Sequence, residues 1–206
     1  ADDYTPVDNF SGNHPINKLK FKYTGIGLTD RIGVPLYNGN IAYTSYNNRL
    51  LGADIAPYSY RYDQLNRLVE MRKHSPFTPS SVFGDWGRST TITDYSESVT
   101  YDPNGNILTY NRNGTSTVNL DMDQLTYHYA DPDNNNKLDY VDDQVADGNY
   151  PDIDIDAQGS GNYRYDNIGN MLQDSKEDIS SIEWTAYGKI RKITKGSGQT
   201  IEYAYD

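Results

Sequence analysis

Apolar and polar residues alternate along this chain in short stretches with a period of two. Tyr60-Arg61-Tyr62, Tyr163-Arg164-Tyr165 and Tyr203-Ala204-Tyr205 each place two rings on one face of an extended strand. Lys18-Leu19-Lys20-Phe21-Lys22-Tyr23 alternates in the same way, with an exposed Lys face and a packed apolar face. Asp152-Ile153-Asp154-Ile155-Asp156 reads as a strand whose three Asp share one face, an arrangement that resists edge pairing. Clusters of Gly, Asn and Asp separate these stretches, and such residues make turns because they tolerate positive φ or bond nearby backbone. Ala-rich helical stretches are absent. The expected fold is all-β, built of stacked β-hairpins.

The stretches repeat. Tyr60-Arg61-Tyr62-Asp63 leads into Gln64-Leu65-Asn66-Arg67-Leu68, and Tyr101-Asp102 leads into Pro103-Asn104-Gly105-Asn106-Ile107-Leu108. Tyr165-Asp166 is followed by Asn167-Ile168-Gly169-Asn170-Met171-Leu172. A degenerate copy runs from Trp184 through Gly188 to Ile190, and Tyr205-Asp206 begins another. Intervals of 39, 19 and 21 residues separate Tyr62 from Tyr101, Tyr165 from Trp184, and Trp184 from Tyr205. A unit of about 20 residues fits if the 39 counts as two steps. Tyr23-Thr24, Tyr43-Thr44 and Leu120-Asp121 sit on the same grid as weaker copies. Each unit reads as a hairpin: an aromatic strand, an Asp-x-x-Gly-Asn turn, then an apolar return strand. One hairpin is marginal in water, whereas an array shares a continuous sheet.

Composition sharpens this reading. Tyr occurs 20 times against 4 Phe, and only 35% of residues are hydrophobic. Tyr supplies buried area with a polar tip, so a polar chain of this kind can still pack. Absence of Cys excludes disulfides, thiolate metal sites and a cysteine nucleophile. The net charge of −11 is concentrated: residues 121–156 hold eleven Asp and one Lys, and the rest is nearly balanced. Basic patches are missing, which argues against a nucleic-acid partner. No apolar run approaches the ~20 residues of a membrane helix, so membrane insertion is not expected.

Catalytic signatures are equally scarce. His14, His74 and His128 have no metal-ligand spacing and no nucleophile context. Gly25-Ile26-Gly27 lacks the third Gly of a phosphate loop. No enzymatic role is expected. The sharpest local motif is Asp131-Pro132-Asp133-Asn134-Asn135-Asn136-Lys137-Leu138-Asp139-Tyr140-Val141-Asp142, where Asp131, Asp133, Asn135, Asp139 and Asp142 fall at calcium-loop positions 1, 3, 5, 9 and 12. Asn replaces Gly at position 6, Asp replaces Glu at position 12, and flanking helices are not apparent. The other reading is a metal-free Asn/Asp-rich hairpin turn between Tyr129 and Leu138. A cation across the Asp face of 152–156 is a further option. Calcium is the one cofactor these residues raise.

The Tyr-Asp-x-x-Gly-Asn units resemble the YD-repeat family, also called RHS repeats. The motif residues are Tyr62 and Asp63; Tyr101, Asp102, Gly105 and Asn106; Tyr165, Asp166, Gly169 and Asn170; and Trp184 with Gly188. Intervening pieces such as Tyr37-Asn38-Gly39-Asn40-Ile41 and Asp147-Gly148-Asn149 look like the form common in Bacteroidetes-type bacteria. The resemblance covers nearly the whole chain, with regular repeats at about 16–120 and 160–206 and an irregular acidic insert at about 121–159. It implies a β-sheet that spirals into a hollow shell, secreted or at the cell surface, around a C-terminal toxin. Its partners would be the remainder of that shell and the effector. Similar repeats in teneurins imply the alternative of adhesion to a cell-surface protein or glycan. Asp102-Pro103-Asn104-Gly105-Asn106 is superficially similar to the family's Asp-Pro-x-Gly-Leu cleavage motif, but has Asn in place of Leu and lies inside an ordinary repeat.

Overall fold

The computed structural model describes residues 18–22, 36–47, 56–75, 91–131, 136–150 and 153–206. It is all-β, with no helix among the described residues. The strands are β1 (Lys18–Lys22), β2 (Tyr43–Asn47), β3 (Ala56–Tyr62), β4 (Leu68–Lys73), β5 (Glu97–Tyr101), β6 (Ile107–Thr115) and β7 (Asn119–Tyr129). They continue as β8 (Leu138–Asp143), β9 (Tyr163–Tyr165), β10 (Met171–Asp174), β11 (Ile179–Trp184), β12 (Ile190–Lys195) and β13 (Thr200–Glu202). Neighbours in sequence pair in space, antiparallel throughout: β1 with β2 and β2 with β3, then β4 through β8 in order, and β9 through β13 in order. Meanders of this kind need only tight turns between strands.

The chain divides into two compact units, residues 1–61 with 73–92, and residues 62–72 with 93–206. The first buries Ala42, Tyr43, Pro57, Ser59 and His74. Its His74 bonds the Ser59 hydroxyl through Nε2 at 2.8 Å and the Thr91 hydroxyl through Nδ1 at 3.3 Å. That histidine is packed and hydrogen-bonded within a sheet. The second unit buries Leu125, Val141, Val145, Tyr150 and Ile182, together with the polar Asp123, Asp143 and Asn162.

Four of the hairpin turns follow one pattern. The N–H of Asp63, Asp102, Asp166 and Thr185 donates to the carbonyl four residues on, at Arg67, Asn106, Asn170 and Lys189, over 2.8–2.9 Å. The fourth turn residue, Asn66, Gly105, Gly169 or Gly188, has φ of 62°, 95°, 96° or 72° and donates back to the first. This is a three-residue loop closed by a left-handed residue and a bulge. The sheet register slips beside the turns, between Thr100 and Tyr101 and between Glu183 and Trp184. Gly is favoured there because a Cβ is strained at positive φ, and Asn66 is the residue type that tolerates it best.

The structure revises the repeat grid. β4 pairs directly with β5, so the 39 residues between Tyr62 and Tyr101 are one step of the sheet and not two. Tyr43 opens β2, and Leu120-Asp121 lies within β7; neither precedes a hairpin turn. Tyr23-Thr24 and Gly25-Ile26-Gly27 lie outside the described residues, as does His14. The repeat that fills the gap is Tyr127-His128-Tyr129-Ala130, whose turn closes from the Ala130 N–H to the Lys137 carbonyl at 3.0 Å. It escapes a motif search because Ala holds the Asp position and the loop is longer. Residues 153–159 form no strand. The alternation of Asp152–Asp156 therefore does not mark an edge strand: the Ile153 and Ile155 side chains are exposed, while Asp154 is drawn in toward other carboxylates. Asp152 itself lies outside the described residues.

Candidate functional site

Each motif Asp is fixed by its own turn. Asp102 Oδ1 accepts the Asn106 N–H at 2.8 Å and Oδ2 accepts the Asn106 amide at 2.8 Å. Asp166 repeats this with Asn170, and adds the Ile168 N–H. Asp63 accepts the N–H groups of Leu65 and Arg67, and its Oδ2 takes the Arg67 guanidinium at 2.6 Å. Burial alone would raise these three carboxyls. The donors outweigh it and hold all three below the usual range. These groups are committed to local turns, which leaves them unsuited to acid–base chemistry.

The motif aromatics do a different job. Tyr101 Oη donates to the Leu68 carbonyl, Tyr129 to Ile107 and Tyr205 to Ile190, each at 2.8 Å. Trp184 Nε1 donates to the Met171 carbonyl at 2.7 Å. In every case the acceptor is the first residue of the return strand of the preceding hairpin. Where the residue just before the return strand is basic, as at Arg67, Lys137 and Lys189, it adds a second tie; Asn106 and Asn170 stand there in two other hairpins. Arg67 lies over the Tyr101 ring and donates to the Asp102 carbonyl at 2.9 Å. Lys137 lies over Tyr165 and donates to the Asp166 carbonyl at 2.9 Å, and Lys189 lies over Tyr205. Successive hairpins thus interlock at their tips through a ring and a carbonyl, with a cation added at Arg67, Lys137 and Lys189.

The acidic stretch supplies the most unusual chemistry. β7 carries Asp123, β8 carries Asp143, and the segment after β8 brings Asp154 to them; one oxygen from each lies within 4.8 Å of the others. Asp123 is 1% exposed and pairs with the Arg112 guanidinium. Its Oδ1 accepts the Ile155 N–H at 3.1 Å. Asp143 Oδ1 accepts the N–H groups of Gln124 and Val145. Burial, then the charges of Asp156, Asp123 and Asp143, push the Asp154 carboxyl up. Three carboxylates and one guanidinium leave a negative site whose oxygen donors are of the type hard cations take. The segment that closes it is pinned along its length. Tyr150 Oη accepts the Thr115 N–H at 3.0 Å and donates to the Asn119 carbonyl. Gln158 exchanges two 2.9 Å bonds with the Val141 backbone, one through its own N–H and one through its side chain.

Of the sequence-derived calcium set, Asp131, Asp139 and Asp142 are among the described residues. Asp133 and Asn135 lie outside the described residues. Asp139 is the extra residue where the β7–β8 register shifts, between Leu138 opposite Tyr129 and Tyr140 opposite His128, whereas Asp142 pairs with Thr126. Asp139 holds the Ser160 hydroxyl and the Gly161 N–H, and Asp142 holds the Gln144 amide. Asp131 ends the β7 side of the turn. Asp143, one residue beyond the motif, is the one that meets Asp123 and Asp154. No local pattern points to the trio, since Asp154 lies in no strand and Asp123 meets Asp143 only through the β7–β8 register. His128 stacks flat on Tyr140 with centroids 4.2 Å apart, which is packing. No protein-family model matches the chain, and no curated protein matches it.

Proposed function

We propose that this chain is a structural wall segment of an RHS/YD-repeat protein, secreted or surface-borne, that encloses or presents a C-terminal effector. The single observation that carries the reading is the interlock of successive hairpins. The residues that define the motif are spent on turns and on ties between neighbouring hairpins, which is what a continuous wall requires. No enzymatic role is assigned to them. The test is to produce the full gene product and challenge it with protease. In a container, a domain encoded after this region survives digestion inside the shell and is degraded once the repeats are denatured. A gene in which an anchoring domain follows, with no protected fragment, would overturn the reading.

A second reading, a cell-surface or carbohydrate-binding module, is favoured by Tyr187, whose ring is 91% exposed at the tip of the Trp184–Lys189 turn. Turn chemistry does not demand an aromatic there. Binding of this chain to defined glycans, lost in Tyr187→Ala, would support it.

A further inference from the structure

We propose that the row of hairpin turns running from Asp63 to Lys189 is a membrane-docking edge, which seats on zwitterionic phospholipid through Leu65, Ile168 and Tyr187. These residues lie two places after Asp63, Asp166 and Thr185 in their turns and are 64%, 85% and 91% exposed. The turn needs a left-handed residue one place later, at Asn66, Gly169 and Gly188, and needs nothing apolar here. Asn104 fills the same position in the fourth such turn. Each turn is tied to the next: Arg67 to the Asp102 carbonyl, Asn106 to Asn136, Lys137 to the Asp166 carbonyl, and Trp184 to the Met171 carbonyl. All of them belong to the second compact unit. The tips therefore stand in one row, with about 10 Å per hairpin, twice the strand spacing. Hairpins added at either end of the array lengthen this row and do not cross it. Turns at the other end of the strands, Ser175–Asp178 and Lys195–Gly198, hold no apolar residue; Val118, 71% exposed between β6 and β7, is the exception there.

Spacing and charge select the occupant. Leu65 and Ile168 stand three hairpin steps apart and Tyr187 one step beyond, with polar turn residues between them. Isolated apolar points on a line of roughly 40 Å do not make the contiguous ~800 Å² per partner of a protein interface. A fluid bilayer needs no such patch, because each side chain can displace headgroups at its own position and reach the acyl boundary. Tyr suits that depth: its ring is apolar and its hydroxyl stays wet. The charges beside these wedges are of both signs, with Asp63, Asp102 and Asp166 interspersed among Arg67, Lys137 and Lys189. Such a row matches headgroups that carry both a phosphate and an ammonium. An anionic surface would instead repel the net charge of −11. The contact is shallow and spans nothing, so it needs no long apolar run.

Flotation of the intact chain with phosphatidylcholine vesicles is the test. Half of the chain should float at a lipid concentration on the order of 1 mM, since three partly inserted side chains hold less firmly than one acyl anchor. Leu65→Ser, Ile168→Ser and Tyr187→Ser should each lower the partition coefficient about tenfold. Val118→Ser, at the opposite end of the strands, should leave it unchanged. Replacing half of the lipid by phosphatidylglycerol should weaken binding, and about 0.5 M salt should restore it. All four side chains are exposed, so the variants should keep the wild-type melting temperature. A wild-type chain that stays out of the lipid fraction, or a triple variant that floats like wild type, would overturn the proposal. So would loss in Tyr187→Ser alone, which would make the ring a glycan-stacking site. So would vesicle-free sedimentation in which wild type doubles its mass and the triple variant does not, which would give the row to a second copy. Protease protection of a downstream domain, the test of the shell reading, is unaffected by any of these outcomes.

Discussion

The hairpins of β9 to β13 and the acidic stretch around β7 and β8 are built from the same strand pattern, yet they are held together differently. In β9–β13 the turns are short, the ties are local, and the buried side chain is Ile182. Around β7 and β8 the chain leaves the meander after Asp143, returns across strands it has already made, and buries two carboxylates. The first region gets its order from neighbours in sequence. The second depends on contacts more than 30 residues apart, such as Tyr150 to Thr115 and Ile155 to Asp123. Repeats therefore supply a frame, and the departure from the repeat supplies the unusual chemistry.

Four changes would break or sharpen that contrast. Arg112→Leu should cost the most, about 3–5 kcal/mol in urea unfolding, because it strands the buried Asp123 carboxylate. Adding Asp123→Asn should recover most of the loss; no recovery would mean that the pair is not the source of the effect. Gly114→Ala comes next, at about 2–3 kcal/mol, since a Cβ there overlaps the Tyr150 phenol and must dislodge it. The same substitution in a Tyr150→Ala background should add little, and full additivity would show the two to be uncoupled. Tyr101→Phe removes one ring-to-carbonyl tie and should cost about 1 kcal/mol, with equal loss expected for Tyr129→Phe if the ties are equivalent.

The smallest effect concerns pH. The Asp154 carboxyl is raised in the folded chain, so the folded state holds its proton more tightly than the unfolded state. Its contribution is fully present below the unfolded pKa and is lost as pH rises through the folded one. Asp154→Asn should therefore raise the melting temperature at neutral pH and leave it nearly unchanged in acid. The turn carboxylates of Asp63, Asp102 and Asp166 have the opposite sign, being lowered: their support is present above the unfolded pKa and lost as pH falls through the folded value. Melting curves from neutral pH into acid should separate the two classes. A variant Asp154→Asn that melts lower at neutral pH would contradict the assignment.

Much of this was legible in the residues alone. The period-2 alternation with Gly and Asn at fixed offsets gave an all-β chain of hairpins, and the Asp-x-x-Gly-Asn turns form where Asp102 and Asp166 stand. Such turns are local: one residue's φ and one carboxylate's reach decide them, so five consecutive residues carry the information. The unit beginning at Tyr129 was hidden because Ala130 cannot make that turn and a longer loop replaces it. The 39-residue interval misled for the related reason that a count of residues does not distinguish one long connection from two hairpins.

What only the tertiary structure decided is which distant groups share a space. Asp152–Asp156 alternates like a strand, but a strand forms only when a partner accepts its hydrogen bonds. Here the Ile155 N–H goes to a carboxylate and Gln158 takes the edge of β8. Asp142 and Asp143 are adjacent in sequence, and the pleat of β8 sends them to opposite faces. The meeting of Asp123, Asp143 and Asp154 depends on the β7–β8 register and on a segment folding back, pinned by Tyr150 at Gly114. Local pattern fixes strands and turns because their energetics are short-ranged. A site made across strands is set by register and by long-range closure, and no local stretch of sequence encodes these by itself.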